Sequence, residues 1–393
     1  MSKRMCVVTC LAAAITGCSG GVAPRTVQRS TESPPITATQ SIQRNDAEPF
    51  TVSEMKTFMA AVAYADKIRD PMQRCLRYPD PPGSHWSRVG VEAYCHYRLQ
   101  RIVNASDLVS LAQSGHAKDI DRNLNDLMVQ AGDLRAQETF WRTIAEDCYD
   151  VTPDVRDAIE EWKRQTPDSA FAYAASGYCD VQMAWAARGV KSASDTPDAR
   201  IDAMQALLDR AHMDLAKAIS LNPKLTASYA AEINASVLTG DGQSAMDAAR
   251  KGLAIDPSSF PIYDMLQLIS EPRWGGSEQF ERGLIASSMG RSAQNPLLLT
   301  IKAAVLTDVY DLRHCDCATV EERQAYREVF DQVTSTGILV NVAANALRNH
   351  QPELAYVYYS EALRFYPSDI AEDALNQRAI AADEISRAAD ANE

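Results

Sequence analysis

Two alanine-rich apolar segments of this 393-residue chain end in the same way, at Leu221-Asn222-Pro223 and at Ile255-Asp256-Pro257, and their prolines stand 34 residues apart (257 − 223 = 34). A fixed period of that size constrains the fold more than composition can. Each unit is one supersecondary element that buries its apolar face only against its neighbour. Within the unit, Tyr229 supplies a large side chain in a first helical segment, Gly240-Asp241-Gly242 breaks the chain, and Ala245 is a small residue in a second segment that stops at Pro257. A second unit runs from the apolar stretch Ile338 to Leu347 through Leu354, Ala355, Tyr359, Ala362 and Leu363 to Pro367. Small residues let paired helices approach closely, and large ones fill the gap to the next pair.

The period and this order of small and large residues resemble the tetratricopeptide repeat. The resemblance implies an all-α solenoid of antiparallel helix pairs. The pattern departs from the repeat at Gly252, where Ala is usual, and at Pro197, which is expected to interrupt the first helix before Ala211. Two or three regular units inside a less regular helical array is the expected count. Helix starts recur elsewhere. Thr51-Val52-Ser53-Glu54 has the form of a capping box ahead of Met55, Phe58, Val62, Ala65 and Ile68, which share one helix face. Thr152-Pro153-Asp154, Thr166-Pro167-Asp168 and Thr196-Pro197-Asp198 each place a Thr cap before a Pro at the first helical position. Hardly any alternating strand pattern is present. The expected organisation is an N-terminal helical region over 50–165 and repeats over 166–393.

Between Trp162 and Glu278, the runs Trp185-Ala186-Ala187-Arg188-Gly189, Ala218-Ile219-Ser220-Leu221-Asn222-Pro223 and Pro272-Arg273-Trp274-Gly275-Gly276-Ser277 occur in order. Together they resemble a bacterial tetratricopeptide-like family catalogued as domain of unknown function 4034. That resemblance implies a helical fold and no defined chemistry. Trp274-Gly275-Gly276-Ser277 reads as a tight turn with Trp274 packed beneath it and Ser277 capping the next helix. The alternative is a ligand loop with amides at a helix N-terminus.

The N-terminus carries an address. Lys3 and Arg4 precede an apolar run from Met5 to Ile15, which ends in Ile15-Thr16-Gly17-Cys18. A basic start and a short apolar stretch suit a cleaved secretory signal rather than a membrane span. Cys after Thr16-Gly17 resembles the lipobox of bacterial lipoproteins, which implies a signal peptide over 1–17 and lipid attachment at Cys18. Ser19, rather than Asp, implies the periplasmic face of the outer membrane. The stretch up to Pro49 is rich in Gly, Ser, Thr, Gln and Pro and reads as a tether over 18–49. As a flexible coil it reaches on the order of 30 Å.

Net charge is −13, and removing Lys3 and Arg4 makes it −15. No basic run offsets it, which argues against nucleic acid as a partner and against electrostatic attachment to anionic lipid. After Cys6, Cys10 and Cys18 are set aside, the remaining cysteines are Cys75, Cys95, Cys148, Cys179, Cys315 and Cys317. An even set in an oxidising compartment suggests disulfides, and local closure favours Cys75 with Cys95 and Cys148 with Cys179. Cys315 and Cys317 are then left to each other. His314-Cys315-Asp316-Cys317 also permits a redox or metal reading, although the two-residue spacer and the fourth ligand of a structural zinc site are missing.

No other catalytic signature is present. Gly240-x-Gly242-x-x-Ala245 imitates a dinucleotide fingerprint, but no strand precedes it. His85, His96, His116, His212, His314 and His350 are scattered. The chain is therefore expected to be a binding module rather than an enzyme, with no cofactor and no metal. Its expected partner is an envelope protein or peptide, held in the groove of stacked first helices by Asn234, Asn341 and Arg348, with Trp274 as an aromatic anchor. An immunity lipoprotein that inhibits a secreted toxin is the nearer alternative. A thiol- or metal-dependent envelope enzyme centred on His314 to Cys317 is the other.

Overall fold

The computed structural model describes residues 49–100, 103–130, 132–149, 151–191, 195–315, 319–366 and 372–390. The expected signal segment, Cys18 and the expected tether up to residue 48 lie outside them, as do Asp316, Cys317 and Pro367. All regular structure among the described residues is helical, and it lies within one compact unit that starts at Arg44. The helices are α1 (Val52–Ala65), α2 (Pro71–Arg77), α3 (Arg88–Leu99), α4 (Ala105–Gln113), α5 (Ala117–Gln130), α6 (Gly132–Asp147), α7 (Pro153–Gln165), α8 (Ala170–Arg188) and α9 (Asp198–Leu221). They continue with α10 (Thr226–Thr239), α11 (Gly242–Ile255), α12 (Phe260–Ser270), α13 (Glu278–Arg291), α14 (Leu299–Val309), α15 (Val320–Val329), α16 (Thr336–Arg348), α17 (Pro352–Arg364) and α18 (Glu372–Asp390).

Several helix starts follow from local chemistry. The Thr51 hydroxyl accepts from the Glu54 amide at 3.2 Å while the Glu54 carboxylate accepts from the Thr51 amide at 2.7 Å, the reciprocal bonds of a capping box. Thr152 caps α7 with Pro153 at its first position. Two expected caps are corrected. The hydroxyl of Ser169, not Thr166, accepts from the Ala172 amide at 3.0 Å to start α8. Thr166 instead ends α7, because the Ser169 amide donates back to the Thr166 carbonyl across the Pro167-Asp168 turn at 2.9 Å. The N-cap of α9 is Pro197, which offers no side-chain capping bond.

The repeat is real in space. α10 and α11 form an antiparallel pair closed by Gly240 in the left-handed region (φ +69°), and α12 starts 34 residues after α10 (260 − 226 = 34). Gly252 stands where the repeat prefers Ala because a Cβ there would meet Ile262 Cδ1 at 2.8 Å and Tyr229 Cβ at 3.2 Å. Pro197 does not break a first helix. It begins the 24-residue second helix of a pair whose first member is α8, and the two approach so closely at Gly177 that a Cβ would come within 2.6 Å of Leu215. Sequential neighbours pack together further along as well, α12 with α13, α14 with α15 and α16 with α17.

The N-terminal helices share one core with the C-terminal ones. Trp86 stacks on Phe365 with ring centroids 6.2 Å apart, and Tyr94 meets the same ring edge-on at 4.7 Å. Arg364, only 2 % exposed, donates from Nε to the Cys75 carbonyl at 2.8 Å and from Nη1 to Asp80 at 2.7 Å.

Candidate functional site

The first helices of three successive pairs, α8, α10 and α12, lie side by side, and α6 crosses all three. Its aromatic pair anchors it. Phe140 meets Phe171 of α8 edge-on at 5.1 Å, and Trp141 meets Tyr178 of α8 edge-on at 5.0 Å. Its polar side chains then find backbone partners. Gln137 donates to the Lys224 carbonyl at 3.0 Å and accepts from the Thr226 amide at 3.1 Å, which satisfies the start of α10. Asn295 donates to Glu138 and to the Ser258 carbonyl. Just past the helix, Cys148 is disulfide-bonded to Cys179 of α8. Over α8, α10 and α12, the expected open groove is therefore covered by the chain's own helix.

Where α3, α6, α8 and α12 meet, the indole N–H of Trp141 donates to the Asp264 carboxylate at 3.1 Å. Asp264 is closely surrounded by protein, and burial pushes its carboxyl up to about 6, with the Trp141 bond opposing that shift. Asp264 and Tyr97 nonetheless keep part of their surface open. The Asp264 charge, together with burial, raises the phenols of Tyr97 and Tyr178. Among the described residues no Lys, Arg or His pairs with Asp264, and neither phenol has a protein hydrogen-bond partner.

The residues expected to line the groove are differently placed. Asn234 is not exposed. It is 4 % accessible, and its side-chain oxygen accepts from the Trp185 indole at 2.9 Å, which ties α8 to α10. Trp274 meets Trp185 edge-on at 5.4 Å, so Trp185 joins these two expected positions. Asn341 and Arg348 are exposed on α16, and Arg348 donates to Asn345 at 3.2 Å. No described contact brings them to Asn234 or Trp274.

The Trp274 loop has the geometry of a tight turn. Gly275 is left-handed (φ +90°), Ser277 caps α13 by accepting from the Phe280 amide at 3.2 Å, and a Cβ on Gly276 would stand 1.8 Å from the Ser270 carbonyl oxygen. Trp274 also lines a cleft of about 380 Å³ with Ser236, Gly240, Met246 and Phe280.

Two disulfides stand where local closure places them, Cys75 to Cys95 and Cys148 to Cys179. Cys315 is disulfide-bonded too, and Cys317 lies outside the described residues. His314 is exposed and holds Asp311 through Nδ1 at 2.8 Å. Among the described residues, no group of three or more metal-binding side chains converges.

Sequence reasoning missed Trp141 and Asp264. Phe140-Trp141 in an otherwise polar stretch was the available signal for a helix with a buried anchor. Asp264, in the apolar run Phe260 to Ile269, was the signal for a carboxylate drawn into an interface.

The class these features define is an all-α helical-repeat protein with one of its own helices laid across three of the first helices. No family model matches the chain, and no curated protein matches it either.

Proposed function

We propose that this chain is a lipid-anchored protein of the periplasmic face of the outer membrane, and that it binds another envelope protein or peptide through its helical array. The observation that carries the binding reading is the cleft of about 380 Å³ lined by Ser236, Met246, Trp274 and Phe280 at the end of the α10–α11 pair. Recognition sites combine apolar and aromatic walls with a few placed polar groups. Support for the anchor comes from the sequence ending in Ile15-Thr16-Gly17-Cys18, and the acidic balance argues against nucleic acid. The family resemblance over Trp162 to Glu278 belongs to the same proposal and adds architecture only.

Affinity purification of the tagged full-length protein from gently crosslinked envelopes tests this, with a Cys18→Ala chain as control. A stoichiometric envelope protein recovered with the wild type and diminished with Cys18→Ala is the expected result. Its identity separates a scaffold from an inhibitor of a toxin. Recovery of the same abundant proteins with both chains counts against the reading.

A further inference from the structure

We infer that Glu271 and Asp308 form a proton-operated latch beneath the Trp274 loop, which holds that wall of the cleft in place while the two carboxyls share a proton and frees it when the proton leaves. The inference rests on the reading of this cleft as the partner's site and specifies how that site is regulated.

The loop hangs from Glu271. The Glu271 carbonyl accepts from the Trp274 amide at 2.9 Å and from the Gly276 amide at 3.1 Å, and no room for a Cβ remains between Gly276 and the Ser270 carbonyl oxygen. The turn therefore moves only with the end of α12. Trp274 and Gly275 line the cleft, so the position of Glu271 sets one of its walls.

The Glu271 side chain is 4 % exposed and hydrogen-bonds to the Asp308 carboxyl of α14. Two carboxyl groups bond to each other only with a proton between them, because an ionised carboxylate accepts and does not donate. The Gln267 amide spans the pair, donating to Glu271 at 3.5 Å and to Asp308 at 3.3 Å. Glu281 of α13, 5 % exposed, adds a third carboxyl that feels the Asp308 charge.

The facing cations are few. Arg273 pairs with Glu271 from within the loop, yet its side chain is 56 % exposed and lies over the Trp274 ring. Arg313 stands 3.5 Å from Asp308, and Arg282 pairs with the exposed Glu278. Charges on the other elements against α12 are engaged elsewhere. Glu232 of α10 holds His212, Asp247 of α11 holds Arg250, and on α6 Glu138 meets Asn295 while Arg142 holds Glu146. Asp264, two turns back on α12, has the Trp141 indole.

Burial raises the Glu271 carboxyl above its ordinary 4.5, with Arg273 opposing and Asp308 adding to the shift. The latched state is therefore favoured at low pH and is lost as pH climbs above that ordinary value. Once the proton leaves, two anions face each other in a poorly hydrated place. Swinging Glu271 out toward Arg273 relieves this, and Arg273 belongs to the loop.

The test is hydrogen exchange of the full chain in detergent at pH 5.5 and pH 8.5, read on the peptide over residues 271–277 and corrected for intrinsic exchange. Wild-type protection should fall about tenfold between the two. Glu271→Gln donates to Asp308 without any added proton, so its loop should stay protected at both pH values, and Asp308→Asn should likewise lose the pH dependence. Glu92→Gln, exposed on α3, should behave as wild type. Unfolding profiles establish that the variants are folded. Equal wild-type protection at both pH values, or variants that lose protection as the wild type does, overturns the latch.

The two readings fail separately. A loop indifferent to pH retires the latch and leaves the cleft as a binding site. A pH-dependent loop with no partner recovered from envelopes retires the binding module and leaves the latch. A partner recovered alike at both pH values, from a chain whose loop does respond, overturns the regulation of the cleft.

Discussion

The indole N–H of Trp141 donates to the carboxylate of Asp264 at 3.1 Å across 123 residues of sequence, and this bond fastens α6 to the first helix of a pair two steps along the array. Its neighbours give it meaning. Gln137 closes the start of α10, Glu138 accepts from Asn295, and the Cys148–Cys179 bond holds the end of α6 to α8. One helix thus holds three pairs in register.

Replacing Asp264 with Asn is expected to stabilise the protein at neutral pH. The folded carboxyl is raised to about 6 from 3.8, so between those values the folded state binds the proton more tightly than the unfolded one. Wild-type stability therefore falls as pH rises through that window. Melting temperatures should favour the variant at pH 7.5 and converge below pH 4. A wild type more stable than the variant at pH 7.5 would show that Asp264 has a cationic partner in the folded chain.

Removing the Cys148–Cys179 bond with paired Ser substitutions should cost about 2–4 kcal/mol, since the sulfurs close a long loop in the unfolded chain. The expected structural effect is local. Partial proteolysis should show faster cleavage within residues 132–149 than in wild type, and unchanged cleavage near Cys75 would separate the two bonds.

Gly276→Ala should be among the most damaging of small substitutions, because the new methyl meets the Ser270 carbonyl oxygen at 1.8 Å and only backbone movement relieves it. A loss of about 3 kcal/mol or more is expected, against about 1 kcal/mol for Gly240→Ala, where the left-handed backbone is disfavoured but no atom lies within 4 Å. Urea unfolding of the two variants gives the comparison. Equal losses would mean that the Trp274 loop shifts freely.

Arg364→Ala should lower stability by about 3–5 kcal/mol, because the side chain is buried and holds both termini of the array together. Burial pushes the Glu361 carboxyl up, and Asp80, at 2.7 Å against 3.2 Å for Glu361, makes the shorter contact with the guanidinium. Asp80→Asn is accordingly expected to destabilise more than Glu361→Gln, and chemical denaturation at pH 7 reads the order directly.

Much of this architecture is local, and local information was legible. The period set by Pro223 and Pro257 marked the α10 and α11 pair, Thr51 and Glu54 marked the start of α1, and short separations marked the Cys75–Cys95 and Cys148–Cys179 bonds. Thr166 misled because Thr-Pro-Asp serves equally as a turn that ends one helix. The turn's own hydrogen bond decided between the two, and Ser169 became the cap. Asn234 misled for a different reason. Its repeat position faces the inside, but the inside there is occupied by Trp185.

What the sequence determined by itself was the helical class, the pairing of neighbours and most caps, because those depend on residues within a turn or one repeat of each other. Tertiary structure alone decided that α6 lies across α8, α10 and α12, that the N-terminal helices close on Phe365 and Arg364, and that Trp141 meets Asp264 across α6 and α12. Those outcomes depend on how successive pairs stack, a geometry summed over many small packing angles. Nothing in the immediate neighbourhood of Trp141 or Asp264 encodes it.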